Sequence, residues 1–354
     1  MAGQIRETHD DVGADESLSD VARVVSGLVA EGHASGFVVA VARGDGPITS
    51  VAVGADAAGE PLDTASRFPF ASITKLATAL AILRLADDGA LDVADPLARH
   101  LPDAAAARDG ITLRHLLCHT AGLPYALPGD AAAATDATWL SLAPALLGMP
   151  PLEPPDTLVR YSGVGYCLLG LVVERVTGRA FPVALAELVL GPLGITPSSD
   201  VVSTGSSVRI AGIDPVGAAV WRAANYPSAG LVGTAADALA LARAFRPGVL
   251  LRPATCAFAT RDQTGGLAGT GAFAWAHCAW GLGPGLQHEL PPFWFAPPSA
   301  GPAAYGHGGA AGGIAWADPD ADIAAAVLST RAIGPWFSDV VATIGAAIHD
   351  GTRS

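Results

Sequence analysis

Phe70-Ala71-Ser72-Ile73-Thr74-Lys75 is the stretch on which the reading of this chain turns. The 354 residues include 20 Lys and Arg side chains, and Lys75 is the one lysine among them; the other 19 are arginine. Arginine keeps its charge at any workable pH, whereas a buried lysine can lose its proton and act as a base. Ser72 and Lys75 are spaced i, i+3, so on a helix they share a face and their side chains can meet. A serine hydroxyl is a poor nucleophile until a neighbouring base takes its proton, and a desolvated lysine can do so. From Ser72 to Asp88 the chain is apolar nearly all round (Ile73, Leu76, Leu80, Ile82, Leu83, Leu85), which predicts a central, buried helix stopped by Gly89. Ser72 would lie at its N-terminus, where the dipole and free N–H groups favour developing negative charge. The plain alternative is a capping serine with a stray surface lysine; the uniqueness of the lysine and the burial of its helix weigh against it.

Working outward, Ser17 to Glu31 has helical periodicity, with Leu18, Val21, Val25 and Leu28 on one face. Phe37 to Arg43 and Thr49 to Val53 are valine-rich runs separated by Gly44-Asp45-Gly46-Pro47, the pattern of a hairpin. Between about Leu91 and Thr270 helices dominate: Leu113 to His119, Thr138 to Leu147, Gly163 to Val176, Pro182 to Leu190 and Ala235 to Phe245. Val208 to Val220 is expected to hold short strands. After about Trp280 strands return, at Tyr305 to Gly308, Gly313 to Asp318 and Ile323 to Ser329, before a final helix over Pro335 to Ile348. Strands at both ends with helices between predict an α/β domain built from residues 17–90 and 280–354. Residues 91–279 would form an inserted, mostly helical domain, with the active site between the two and residues 1–16 as a disordered tail.

Half the chain is apolar (51%), 15% is charged, and the net charge is −13. That acidity excludes nucleic acid and anionic membranes as expected partners, because phosphate surfaces need a basic patch. No stretch has the roughly 18 uncharged apolar residues of a membrane span. The first residues carry no apolar signal core, so a cytoplasmic location is expected. Cys118, Cys167, Cys256 and Cys278 have neither metal-knuckle nor disulfide-framework spacing. His115, Cys118 and His119 mimic metal ligands on a helix, but no further ligands are evident, and no metal site is expected. There is no G-x-S-x-G elbow, no G-x-G-x-x-G after a strand and no G-x-x-x-x-G-K, which argues against α/β-hydrolase, dinucleotide and P-loop readings.

Four motifs occur in order: Ser72-Ile73-Thr74-Lys75, Leu116-Leu117-Cys118-His119-Thr120-Ala121-Gly122-Leu123-Pro124, Tyr161-Ser162-Gly163 and His307-Gly308-Gly309. Together they resemble the penicillin-binding-protein and serine β-lactamase superfamily. The likeness is greatest to the branch holding class C β-lactamases, D-alanyl-D-alanine carboxypeptidases and family VIII carboxylesterases. Leu91 to Pro102, Tyr226 to Gly233 and Gly281-Leu282-Gly283 also resemble that branch, so the likeness runs from about Val21 to Ile348. It implies the β-lactamase-like fold: an antiparallel sheet flanked by helices, with an inserted mostly helical domain. It also implies an acyl-enzyme on Ser72, with Lys75 and Tyr161 sharing proton transfer and no cofactor. Tyr161 would lose its proton more easily beside a cation. The backbone N–H groups of Ser72 and Ala310 would form the oxyanion hole. His307, in the place of the family's Lys-Thr-Gly lysine, would join the serine–tyrosine network or bind a substrate carboxylate. Ser162 would only cap its helix.

One departure bears on specificity. Gly163 stands where β-lactam-acting members carry an asparagine that can hold a substrate's side-chain amide. Gly308 and Gly309 would let an edge strand pass close to the nucleophile. Trp221, Trp280, Phe293, Trp294, Phe295 and Trp336 are candidates for an apolar acyl pocket, with Trp336 assigned to substrate. The expected partner is a small-molecule ester or amide, and the expected activity a carboxylesterase or acyltransferase. A β-lactamase, a D-alanyl-D-alanine carboxypeptidase or aminopeptidase, and a catalytically silent binding protein are the alternatives.

Overall fold

In the computed structural model the described residues are 16–56, 58–126, 139–196, 226–274, 276–287 and 295–350. Helix α1 (Glu16–Ala30) leads into strands β1 (Gly36–Arg43) and β2 (Thr49–Gly54). A two-residue strand β3 (Phe68–Pro69), a 3₁₀ turn (Ala71–Ile73) and helix α2 (Thr74–Asp87) follow. The middle of the chain holds α3 (Leu113–Leu117), α4 (Gly163–Thr177) and α5 (Phe181–Leu185). Then come β4 (Val232–Gly233), α6 (Ala235–Arg243), β5 (Gly285–Leu286), β6 (Tyr305–Gly309), β7 (Gly313–Asp318), β8 (Ile323–Ser329) and α7 (Phe337–Asp350).

β1, β2 and β5 to β8 form one antiparallel sheet in the order β2-β1-β8-β7-β6-β5. β1 pairs with β2 in the register Val39↔Val51 and with β8 in the register Val39↔Val327, which is how the two ends of the chain are joined. Side chains alternate between faces along each strand. Phe37, Val39, Val41, Ile314, Trp316 and Val327 point to the face covered by α1 and α7. Val38, Ala40, Ala42, Ala315, Ala324 and Ala326 belong to the second core, under α6, which packs across β1, β7 and β8. Alanine after alanine on that face, against an alanine-rich helix, brings helix and sheet backbones close.

That packing moves one expected boundary. Residues 226–245 were expected within the helical insertion that ends at 279, yet β4 pairs with β3 (Phe68↔Gly233) and α6 lies on the sheet. The alanine-rich periodicity of Ala235–Arg243 shows a helix without showing which layer it covers. Val208 to Val220 and residues 1–15 lie outside the described residues.

α2 runs between the layers, packed on α4, α5 and α6. Leu76, Leu80 and Ile82 are fully buried, each stabilising by about 1.5–3 kcal/mol through burial alone. Its flank is stitched to the segment after residue 225. Phe70 N–H donates to Leu231 O (2.8 Å), Leu231 N–H donates to Thr74 Oγ1 (3.1 Å), and the Thr78 hydroxyl donates to Pro227 O. These bonds fix the 3₁₀ turn that holds Ser72 and the first turns of α2, where Lys75 sits.

Candidate active site

Ser72 lies inside the 3₁₀ turn that precedes α2, and neither that turn nor α2 has a side-chain hydrogen bond at its N-cap. The serine is therefore not spent on capping. Ala71, just before it, has φ +45°, a left-handed conformation that costs a non-glycine residue roughly 1 kcal/mol or more. Ser72 is partly exposed at the sharp bend so formed.

Lys75 is 2% exposed. Its Nζ donates to Ser72 Oγ at 3.2 Å and to the carbonyl of Ser228 at 2.8 Å. No carboxylate is among the groups that shift its pKa. Burial lowers that pKa from 10.5 to about 7, opposed only by the nearby Cys167 thiol. The ammonium lies 4.8 Å from the centre of the Tyr161 ring and 5.6 Å from that of Tyr166. A lysine whose burial favours the neutral form is thus held against a serine hydroxyl.

Tyr161 is hydrogen-bonded to Ser72, which lowers its pKa, but burial outweighs that and pushes the phenol up from its ordinary value. The sequence expectation of an easily ionised phenol is corrected accordingly: Tyr161 rests protonated, and Lys75 is the group poised to accept. Its position is set by His119. The His119 carbonyl accepts from Arg160 N–H (2.9 Å) and its Nδ1 accepts from Ser162 N–H (3.1 Å), so one residue grips the backbone on both sides of Tyr161. The two rings pack at 4.6 Å. His119 itself has φ +62° and is 1% exposed, and burial followed by the Lys75 charge drives its pKa well below 6.5. The neutral ring that Nδ1 needs in order to accept is the form the site enforces. Ser162 Oγ accepts from Gly165 N–H at 2.9 Å, capping α4.

β6 brings the other wall. A Cβ on Gly309 would lie 2.2 Å from the Phe70 carbonyl, so only glycine lets this strand touch the turn that holds Ser72. His307 is 2% exposed, and its Nδ1 lies 2.7 Å from the Gly308 carbonyl, which assigns the ring proton to Nδ1. Burial, with help from the Lys75 charge, lowers its pKa to about 3. A neutral ring with a free Nε2 is an acceptor, which suits the expected place in the serine–tyrosine network better than the binding of a substrate carboxylate.

Ser72, Tyr161, His307, Gly308 and Ala310 line one cavity of about 410 Å³ together with Tyr125, Arg160, Thr270, Gly271, Phe273, Phe295 and Ile333. Gly163 stands just behind it; its N–H donates to Tyr125 O (2.9 Å), and a Cβ there would lie 3.0 Å from that oxygen. Trp336 is a correction: it packs edge-on to Phe37 at 6.3 Å in the layer formed by α1 and α7, away from the cavity lining. Trp280 is fully buried behind Tyr161 and His119, and of the other aromatic candidates Phe295 lines the cavity while Trp221, Phe293 and Trp294 lie outside the described residues. Sequence reasoning missed Arg160, Ser228 and Phe273. Ser228 acts through its carbonyl, which no side-chain pattern reports, and Phe273 belongs to none of the four motifs. His115, the other metal-like histidine, bonds Asp156 through Nε2 (3.0 Å) and accepts from Thr112 N–H through Nδ1 (3.1 Å), the bonds of a helix-capping residue.

The sequence pattern of the Beta-lactamase family matches residues 21–348. Penicillin-binding protein 4 of Amycolatopsis lactamdurans is 31% identical over 310 residues, covering 81% of this chain and 77% of that protein. Esterase EstB of Burkholderia gladioli is 33% identical over 253 residues, 59% of this chain and 64% of that protein. Among solved structures, EstCE1, described as a hydrolase with promiscuous acyltransferase activity, superposes with a TM-score of 0.73 at 25% identity, covering 95% of this chain and 99% of its own. The chain belongs to the Beta-lactamase family of serine hydrolases, whose members include esterases and penicillin-binding proteins.

Proposed function

We propose that the protein is a carboxylesterase or acyltransferase that works through an acyl-enzyme on Ser72. The observation that carries this reading is Lys75: fully enclosed, with a pKa near 7, and 3.2 Å from the Ser72 hydroxyl. Neutral Lys75 takes the Ser72 proton as Oγ attacks the ester carbonyl. The backbone N–H groups of Ser72 and Ala310, two residues of the cavity lining, receive the oxyanion. Tyr161, protonated and bonded to Ser72, passes a proton to the departing alkoxide and is replenished from Lys75. Water, or an acceptor alcohol or amine, then attacks the acyl-enzyme by the same steps in reverse.

Esters are favoured over β-lactams and D-alanyl peptides for two reasons. Gly163 supplies no amide for a substrate's acylamino group, and an unpaired buried polar group costs about 1–3 kcal/mol. His307, neutral, offers no cation for a substrate carboxylate. The resemblance to EstB and EstCE1 supports this choice, while that to penicillin-binding protein 4 keeps the peptidase as the second reading. The test is a panel of 4-nitrophenyl esters beside nitrocefin and a D-Ala-D-Ala peptide, with fluorophosphonate labelling of wild type and Ser72→Ala. Ester turnover above both other substrates, lost together with labelling in Ser72→Ala, is expected. Faster nitrocefin turnover than any ester would overturn the substrate class, and labelling that survives in Ser72→Ala would overturn the nucleophile.

A further inference from the structure

Arg160 is the one residue with a permanent charge among the described residues lining the cavity. Its guanidinium is already taken. Nε donates to Glu153 Oε2 at 2.8 Å, and a second nitrogen donates to Oε1, a two-pronged pair that fits the guanidinium fork to the carboxylate. Both side chains are about a quarter exposed, at 26% and 24%, so the pair stands at the cavity's edge rather than in the core. The loop bearing Glu153 is held in place: Leu152 N–H donates to Gly122 O (2.8 Å), Asp156 N–H donates to Thr120 O (2.9 Å), and Arg160 N–H donates to His119 O (2.9 Å). A Cβ on Gly122 would fall 2.1 Å from the Glu153 carbonyl, so glycine is needed for that approach. Apart from Ser72, Thr270 and His307 the remaining walls are mostly apolar and aromatic, with Phe273 and Phe295 stacked at 5.8 Å and Tyr125 and Tyr161 at 6.0 Å.

We propose that Glu153 determines specificity by cancelling the charge of Arg160, which tunes the cavity to esters whose acyl group carries no carboxylate. The inference rests on the ester reading above and adds the substrate class. Without Glu153 the guanidinium would face the cavity as a bidentate carboxylate receptor, the role for which arginine is suited. With Glu153 in place, an anionic acyl group meets a neutral pair and loses its hydration without return.

The experiment compares kcat/KM for 4-nitrophenyl hexanoate with that for mono-4-nitrophenyl adipate, which carries a carboxylate in place of the terminal methyl. It is run on wild type, Glu153→Gln, Arg160→Gln and the double variant, each checked by thermal unfolding. Wild type is expected to prefer hexanoate. Glu153→Gln is expected to raise the adipate-to-hexanoate ratio by about tenfold, the scale of one charge–charge contact in a partly hydrated site. Arg160→Gln should lower the ratio by leaving Glu153 uncompensated, and the double variant should return it towards wild type. If Glu153→Gln does not fold, Arg160→Gln and the double variant carry the same test in the opposite direction. Ratios that stay within about twofold across folded variants, with hexanoate still hydrolysed, overturn the role of Glu153 alone. Failure of wild type to hydrolyse any ester removes the ester reading and this inference with it.

Discussion

At the scale of single residues, the site is a set of groups whose protonation is fixed by burial. Lys75 has its pKa lowered to about 7, so its neutral fraction grows through neutrality, and kcat/KM for a neutral ester is expected to rise with pH along a limb centred near 7. Lys75→Arg keeps the charge and cannot supply the base, so a loss on the order of a hundredfold in kcat is expected. The same shift has a thermodynamic counterpart. Below pH 7 the folded state carries the full cost of a buried ammonium; between 7 and 10.5 the cost fades as pH rises, because the unfolded chain binds the extra proton. Lys75→Met is therefore expected to raise the unfolding midpoint at pH 6 and to lose most of that gain by pH 10; no pH dependence of the difference would contradict the burial of a neutral amine. His119 yields a separate prediction, because it positions Tyr161 without touching Ser72. His119→Ala is expected to lower kcat by about tenfold or more. His119→Asn, which tolerates φ +62° and keeps a short side-chain acceptor, should recover part of the loss. Equal loss in both variants would deny the positioning role.

At the scale of elements, the catalytic geometry is the meeting of one helix start and one strand end. β6 approaches the Ser72 turn because Gly309 leaves no Cβ to strike the Phe70 carbonyl. Gly309→Ala is expected to push β6 outward, separating Ala310 from Ser72 and lowering kcat by at least tenfold with a smaller change in KM. Retention of wild-type kcat in a folded variant would show that the strand need not be so close. The Ser-x-x-Lys pair, the all-apolar α2 and the paired glycines of β6 were legible in the sequence because each is a local signal: a spacing, a periodicity, a missing side chain. The layer covered by α6 was not legible, since a helix's partner is a tertiary choice. Trp336 shows the same limit. Aromatic character reveals burial, and only the fold tells which side of the sheet receives it. Arg160 and Glu153 carry no motif at all; their pairing depends on a loop laced to the His119–Pro124 turn.

At the scale of the whole molecule, two neutral histidines buried beside the nucleophile tie activity to acid stability. His307 is shifted from 6.5 to about 3, and His119 well below 6.5, both chiefly by burial. Each folded pKa is depressed, so below 6.5 the unfolded chain takes up protons that the folded site refuses, and stability falls as pH falls. The slope is about 1.4 kcal/mol per pH unit for each histidine. The paired carboxylates Asp95, Asp156 and Asp262 have their pKa values lowered from 3.8, despite burial, by hydrogen bonds and nearby cationic partners, and they add their own loss only in more acid solution. The window between pH 6.5 and about 4 therefore belongs to the histidines. The expected result is a urea unfolding midpoint that drops steadily from pH 7 to pH 4.5 in wild type. In the double variant His119→Asn, His307→Gln, lower at neutral pH for want of packing, the midpoint should fall less steeply across the same range, the remaining slope coming from His115, whose pKa burial also lowers from 6.5. A double variant with the wild-type slope would place the acid sensitivity in other groups and would mean that these two rings accept protons within the folded site.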